Sequence, residues 1–369
     1  MTREAHPIRP ATLADIAAQV QVHKTTVHRA LTGAGRMSPE LRERIVAVAR
    51  QMGYDPDLNP AGRRMALAKH GRLLPNRTIA LVMPRMFYRT GYFLRIFQGV
   101  MDVVTDAGFA LHCYPYQGIE TGPATAGIAR GEVDGIIALA HVESLEPMVR
   151  SLRAHPNFGA RPFVSLAHTV PGEAAVVADV RSGSCQLAAH LFDLGHRQLL
   201  HFHGRDNQLG RPGDPIPLRV AGLRDAQRDR GLGAKALQTA VFEEREDESW
   251  VAESLREALV RQPGITAIVA RHDPMALEII SLLRRWGLRV PQDISVVGYD
   301  DSEPTSVAEA SRLSTVAVPL EDMGRRAARM VIESPAQGVG SRVPVVLPVA
   351  LRLRASTAVP PAGGRPVLS

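Results

Sequence analysis

Between residues 12 and 54 the apolar side chains recur with a helical period in three short runs. Leu13, Ile16, Ala17 and Val20 stand at i, i+3, i+4 and i+7, one stripe of a helix. Val27, Ala30 and Leu31 form a second stripe, and Leu41, Ile45, Val48, Ala49 and Met52 a third. Thr12 with Asp15 three residues on is a capping-box pattern, which satisfies free amides at a helix start. Gln21 and Val22 make a turn. Ser38, Pro39 and Glu40 supply a capping hydroxyl, a proline for the first helical position and an acid at the positive helix end. Gly53 is placed to stop the third helix. Lys24, Thr25, His28 and Arg29 point away from the second stripe. The bland reading is a three-helix bundle with a solvated polar face. The tight turn and the exposed basic cluster favour the helix-turn-helix layout of a DNA reader.

From Thr78 the period changes. TIALVMP is a buried-strand run, and FLRIFQGVMDVVTDAG has helical spacing through Phe93, Ile96, Phe97, Val100, Val103 and Val104, ending at Gly108. Strand-like FALHCYPY, GEVDGIIALA and RPFVSLA follow. Next come a helix at CQLAAHLFDLG, a strand at QLLHFHG, a helix at LRVAGLRDAQRDRG, a strand at ITAIVA, a helix at PMALEIISLLRRWG and a strand at ISVVGYD. Alternating strands and helices indicate parallel sheets with helices on both faces. The length suits two doubly wound lobes with a ligand site at the carboxyl ends of the strands.

Charge sharpens the division. The first 78 residues carry 13 Lys+Arg against 6 Asp+Glu, so they hold the whole net charge of +7 and the remainder is neutral. A basic head on a neutral body is the footprint of a module that meets phosphate. Cys113 and Cys185 are the two cysteines, too few for a disulfide framework or a zinc finger. Cys185, at the start of a helix, reads as a buried structural thiol. His190, His196, His201 and His203 lack the acid or cysteine cluster that would complete a metal shell. Asp300 and Asp301 are adjacent on a strand and so diverge rather than pair. There is no P-loop, GxSxG or HExxH motif. No stretch reaches the ~18–20 apolar residues of a membrane span, and the N-terminus lacks the apolar core of a signal peptide. The expectation is a cytoplasmic protein that is not an enzyme and needs no metal or cofactor.

These segments together resemble the LacI/GalR family of bacterial transcriptional regulators over nearly the whole chain. TLADIA, TTVHRAL, MSPELRERI and MGYDP match the family's head. GVMDVVTDAGF, VDGIIAL, HLFDLGHRQL, LRVAGLRDA, VPQDISVVGYDD and LSTVAVPLEDMGRRA fall in family order in the body. The resemblance implies an α/β chain: a helix-turn-helix head at 1–57, a hinge and linker at 58–78 and a two-lobed periplasmic-binding-protein-like core of doubly wound parallel sheets at 79–358. The N-lobe is expected at about 79–178 and 316–342 and the C-lobe at about 179–315 and 343–358. A disordered Pro/Gly-rich tail is expected at 359–369.

It also implies roles. The recognition helix spans 23–31, with Lys24, Thr25 and Arg29 reading bases and Thr26 and His28 nearer the phosphates. Thr12 is counted as a further DNA contact. Arg29 can offer two hydrogen bonds to a guanine edge. The family usually has Gly in the turn and Ser in the helix where this chain has Gln21, His23 and His28. Met65, in PAGRRMA, is the candidate wedge of a hinge helix in the minor groove. Effector contacts are expected from Pro84, Tyr92, Phe93, His168, Arg219, His272, Asp273 and Asp300. Ala167 replaces an acid of many sugar-binding members, and His272 replaces an Asn. The implied function is a repressor that reads pseudo-palindromic operator DNA as a homodimer or tetramer under control of a small polar effector, a sugar or sugar derivative. The rival is a sugar-binding protein or sugar-processing enzyme that does not bind DNA.

Overall fold

The computed structural model describes residues 11–32, 37–54, 76–84, 91–116, 128, 132–140, 142–154, 161–204, 215–242, 249–303, 308–334 and 342–367. The chain separates into two compact units, Met1–Asn76 and Arg77–Ser369.

The first unit holds α1 (Leu13–Val20), α2 (Lys24–Thr32) and α3 (Pro39–Gln51). The capping box closes as its spacing requires. The Thr12 amide and hydroxyl donate to Asp15 Oδ2 at 2.8 and 2.6 Å, and the Asp15 amide donates to Thr12 Oγ1 at 3.3 Å. Gln21 ends α1 at φ 57°, ψ 45°. This left-handed conformation suits glycine better than a residue with a Cβ, and it turns the chain sharply into α2. Ser38 Oγ accepts from the Leu41 amide, and Gly53 follows α3 at φ 64°. Ile16, Val27 and Ile45, one from each helix, are fully buried together, with Tyr54 against them.

The second unit is built on two parallel sheets. The N-lobe contains β1 (Thr78–Pro84), α4 (Gly91–Asp106), β2 (Ala110–Tyr116), β3 (Gly135–Ala138), α5 (Val142–Ala154), β4 (Phe163–Leu166) and β5 (Ala174–Ala178). The C-lobe follows with α6 (Val180–Asp193), β6 (Leu199–Gly204), α7 (Pro215–Asp229), β7 (Leu237–Phe242), α8 (Ser249–Arg261), β8 (Ala267–Ala270), α9 (Asp273–Arg285), β9 (Ser295–Val297) and β10 (Thr315–Ala317). The chain then returns through α10 (Leu320–Ile332) and β11 (Val345–Leu347) and ends on β12 (Ala350–Arg352). The N-lobe sheet runs β11-β5-β4-β3-β1-β2 and the C-lobe sheet β7-β6-β8-β9, with β10 and β12 forming a separate antiparallel ribbon. Strands such as GIIA, FVSL and AIVA are buried throughout, as expected of parallel strands covered on both faces. α10 lies on α4 so closely that a Cβ on Gly99 would collide with the Glu321 carbonyl, and one on Gly324 with that of Ile96.

The structure corrects the expected lobe limits. β11 pairs in parallel with β5, Val345 opposite Val176, so 345–347 extends the N-lobe sheet and not the C-lobe. β10 pairs with β12, and Ala317 bridges to Asp300, so 316–317 stays with the C-lobe. In each case the edge backbone finds its partners there. Cys185 lies inside α6, which begins five residues earlier than the sequence suggests.

The expected disordered tail is also corrected through residue 367. Arg365 is buried and donates to the carbonyls of Ile265 (2.9 Å), Leu259 and Gln262. It thereby satisfies free carbonyls at and just beyond the end of α8. The buried His196 ring meets Thr266 Oγ1 at 2.8 Å through Nδ1 and donates from Nε2 to the Ala358 carbonyl at 3.0 Å. Burial pushes its pKa from 6.5 down to about 4. The unfolded chain therefore takes up a proton below pH 6.5 that the fold refuses until about pH 4, and stability falls as pH falls through that window. We expect His196→Gln to lack this acid sensitivity. In urea unfolding, its deficit relative to the parent should shrink between pH 7 and pH 5; an unchanged deficit would mean that His196 does not carry the effect.

Candidate functional site

In the first unit, Lys24, Thr25 and Arg29 are exposed on α2, while Thr26 and His28 are half-buried and Val27 and Ala30 face the core. The division follows the helical period, since 24, 25 and 29 lie off the 27–30 stripe. His23 plays a part that its sequence position did not announce. Its carbonyl accepts from the Thr26 amide at 2.8 Å, and its Nδ1 lies 2.8 Å from Thr25 Oγ1. The ring therefore sits in the place of a capping side chain and orients the Thr25 hydroxyl. The half-buried Thr12 keeps its hydroxyl on Asp15. Met65 lies outside the described residues.

In the second unit a cavity of about 300 Å³ opens between the carboxyl end of the N-lobe sheet and the start of α7. Its polar wall is Tyr92, Thr169, Arg219 and Asp300. Its apolar wall includes Val177, Val180, Pro215, Pro217, Leu218 and Met323. Arg219, on the first turns of α7, donates from Nη1 to the Arg271 carbonyl at 2.7 Å and from Nη2 to Asp300 Oδ1 at 3.1 Å. Its guanidinium carbon lies 3.6 Å from the centre of the Tyr299 ring, a stacking that fixes the plane of the fork. Its Nε is buried and makes no hydrogen bond.

Asp300 and Asp301 are not extended strand residues as the sequence reading supposed. Both take positive φ, 93° and 52°, and β9 ends at Val297. The resulting elbow sends the two carboxylates apart. Asp300 goes to Arg219, and Asp301 accepts from Arg354 at 2.8 Å. The Asp301 carbonyl takes Arg95 of α4 at 2.5 Å, and Arg95 also holds both oxygens of Glu321 on α10. Burial pushes the Asp300 carboxyl up and Arg219 pulls it back. Burial, with Asp300 near it, also raises the Tyr92 phenol, so Tyr92 remains a hydrogen-bond donor at neutral pH.

Residues 12–57 match the lacI family of bacterial regulatory proteins, and residues 188–357 match the periplasmic binding protein-like domain. A transcriptional regulator of the helix-turn-helix type from Mycobacterium tuberculosis is 30% identical over 379 residues, covering 96% of this chain and 99% of that protein. The chain belongs to the LacI family. The helix-turn-helix regulator CelR of Thermobifida fusca is 28% identical over 94% of this chain and 98% of its own length. Among solved structures, a CelR–cellobiose complex superposes with TM-score 0.60 at 25% identity, over 94% of this chain and 99% of that one. The Lac repressor bound to ONPG superposes with TM-score 0.70 at 23% identity, over 95% of this chain and all of that one, and so shares its fold.

This LacI-family regulator gathers only part of the expected effector set at its cavity. Tyr92, Arg219 and Asp300 line it; Phe93, His168, His272 and Asp273 do not. Phe93 packs edge-on against Tyr92, ring centres 5.3 Å apart. His168 lies between two residues that do line the cavity, Ala167 and Thr169. His272 caps α9, its Nδ1 accepting from the Met275 amide at 3.1 Å, and burial beside Arg271 and Arg219 drives it down to about pH 3. Asp273 is buried and accepts from Thr315 Oγ1 at 2.6 Å and the Ser302 amide at 2.8 Å. Burial moves its carboxyl up to about 7 while those bonds hold it back. Both residues therefore hold the α9 end of the site together. Pro84 closes β1, and its side chain lies outside the described residues. The sequence reading did not name Thr169, Leu218 or Met323, which also line the cavity. Among the described residues no cluster of metal-ligating side chains occurs, and no helix is long and apolar enough to cross a membrane.

Proposed function

We propose that this regulator is a repressor that binds a pseudo-palindromic operator as a homodimer or tetramer, with its operator affinity set by a sugar or sugar derivative in the Arg219–Asp300 cavity. The observation that carries the effector side is the buried ion pair of Arg219 and Asp300 at the wall of the cavity. The planar guanidinium offers charge-assisted donors to a ligand oxygen at that wall. A carboxylate beside it accepts from a hydroxyl, and donor and acceptor together suit a polyol. That relatives are described as a CelR–cellobiose complex and a Lac repressor bound to ONPG favours the sugar class. Lys24, Thr25 and Arg29 would read base edges, with Thr26, His28 and Thr12 nearer the phosphates and Met65 as the minor-groove wedge. Two heads on a two-fold axis would read two half-sites.

The test is fluorescence anisotropy with full-length protein and an operator selected from a random pseudo-palindromic library, titrated with a sugar panel. A sugar-dependent change in operator affinity supports the reading; operator binding indifferent to every sugar defeats its effector half. The same operator tests Arg29. Arg29→Ala is expected to cost about 1–3 kcal/mol and to relax preference at one base position. An equal loss on all sequences would make Arg29 a phosphate contact instead.

A further inference from the structure

The elbow that carries Asp300 to the cavity wall has a backbone that does not hold itself. Two consecutive residues with a Cβ take left-handed φ there, 93° and 52°, a conformation that persists only where neighbours impose it. Three of the neighbours belong to the C-lobe side. The Asp300 amide donates to the Val316 carbonyl and the Ser302 amide to Asp273 Oδ2, each at 2.8 Å, and Arg354 holds the Asp301 carboxylate. One further grip comes from the other lobe. Arg95 of α4 donates from Nη1 to the Asp301 carbonyl, and from Nε and Nη2 to the two oxygens of Glu321 on α10 at 2.6 and 3.0 Å. Glu321 thereby fixes the plane of the guanidinium and aims its remaining donor at the elbow. The start of α4 is also pressed against the elbow: a Cβ on Gly91 would lie 2.0 Å from the Ser302 carbonyl oxygen.

We propose that Arg95 is a positioning residue of the effector site: a latch on the N-lobe that holds the C-lobe elbow in its left-handed turn and so keeps the Asp300 carboxylate at the cavity wall. Contact at the elbow and the shape of the site then form one equilibrium. A ligand that needs Asp300 in place favours the latched elbow, and the latched elbow favours that ligand. Only the ligand arm of the test rests on the sugar reading given above. A second ion pair supplies the control. Arg325 of α10 bonds Asp102 of α4 and Asp322 of its own helix, so it joins the same two helices and leaves the elbow alone. The Arg95 and Arg325 side chains are 38% and 35% exposed, so neither substitution opens the core.

The experiment is hydrogen–deuterium exchange on the full-length protein, read by mass spectrometry in the peptide spanning 298–302. In Arg95→Met that peptide is expected to lose nearly all its protection while the buried strand β8 keeps its own. In Arg325→Met both keep it. Arg95→Lys retains a charge for Glu321 but not the planar fork, and is expected to restore less than about half of the lost protection. If Arg95→Met loosens β8 as well, Glu321→Gln, which leaves the arginine without its anchor, is read in its place with the same expectation. The same proteins are then titrated by anisotropy on the selected operator with D-glucose, D-galactose, D-ribose and cellobiose. An elbow formed about a third of the time weakens apparent affinity about threefold. The midpoint of any sugar that acts on the parent is therefore expected to rise at least about threefold in Arg95→Met and to stay in place in Arg325→Met. Parental exchange in Arg95→Met would overturn the latch. So would equal loss in Arg325→Met, full rescue by Arg95→Lys, or a fast elbow with an unmoved sugar midpoint. Silence of every sugar on the parent defeats the sugar reading alone, and the exchange comparison then decides the latch by itself.

Discussion

Arg219→Ala is expected to leave operator affinity unchanged in the absence of effector and to abolish the response to it. Arg219 holds the Arg271 carbonyl, Asp300 and the face of Tyr299 at once. Alanine removes the fork that would meet the ligand and also leaves Asp300, 6% exposed, without its cation. A buried carboxylate in that position takes up a proton, so the acceptor for ligand hydroxyls is altered too. Losing one partner of a buried charged pair of this kind costs about 2–5 kcal/mol, which is more than tenfold in affinity. Arg219→Lys keeps the charge but not the planar fork and should recover little of the response. Anisotropy on the operator at increasing effector concentration reads the outcome. A normal midpoint in Arg219→Ala would remove the cavity from the regulatory scheme.

Deleting residues 1–76 is expected to abolish operator binding while leaving the rest of the chain folded and able to bind effector. The two units have separate apolar cores: Ile16, Val27, Ile45 and their neighbours belong to the first alone. Nearly all the excess positive charge lies within residues 1–76, leaving the remaining fragment a net charge of +1 and little attraction for phosphate. Circular dichroism and calorimetry on residues 77–369 should report the parent's melting behaviour and effector affinity for that unit. Retained operator affinity would show that the head is not the DNA-binding module.

The head was legible in the sequence because each of its signals acts over three or four residues. Thr12 with Asp15, the Ser38–Pro39 start, the Gly53 stop and three apolar stripes are satisfied within one helix or between adjacent ones. The strand TIALVMP and its successors were legible for a similar reason: fully buried parallel strands are short, continuously apolar runs. The family assignment came from the same local stretches. Charge told which unit meets phosphate, because it sums over sequence without reference to the fold.

What the sequence by itself could not decide lies where chain segments far apart meet. VVL at 345–347 reads as one more short apolar run, and only pairing with Val176 to Ala178 assigns it to the N-lobe. The tail looked unstructured from its prolines and glycines, yet Arg365 and the Ala358 carbonyl find partners about a hundred residues or more away. Of eight expected effector residues the fold brought Tyr92, Arg219 and Asp300 to the cavity, and it turned His272 and Asp273 to holding α9 and the elbow. A residue type at a family position shows that a polar group stands near the cleft. Whether that group is left for a ligand depends on which backbone amides and hydroxyls the fold has already placed against it; Arg219 and Asp300, though paired with each other, still line the cavity.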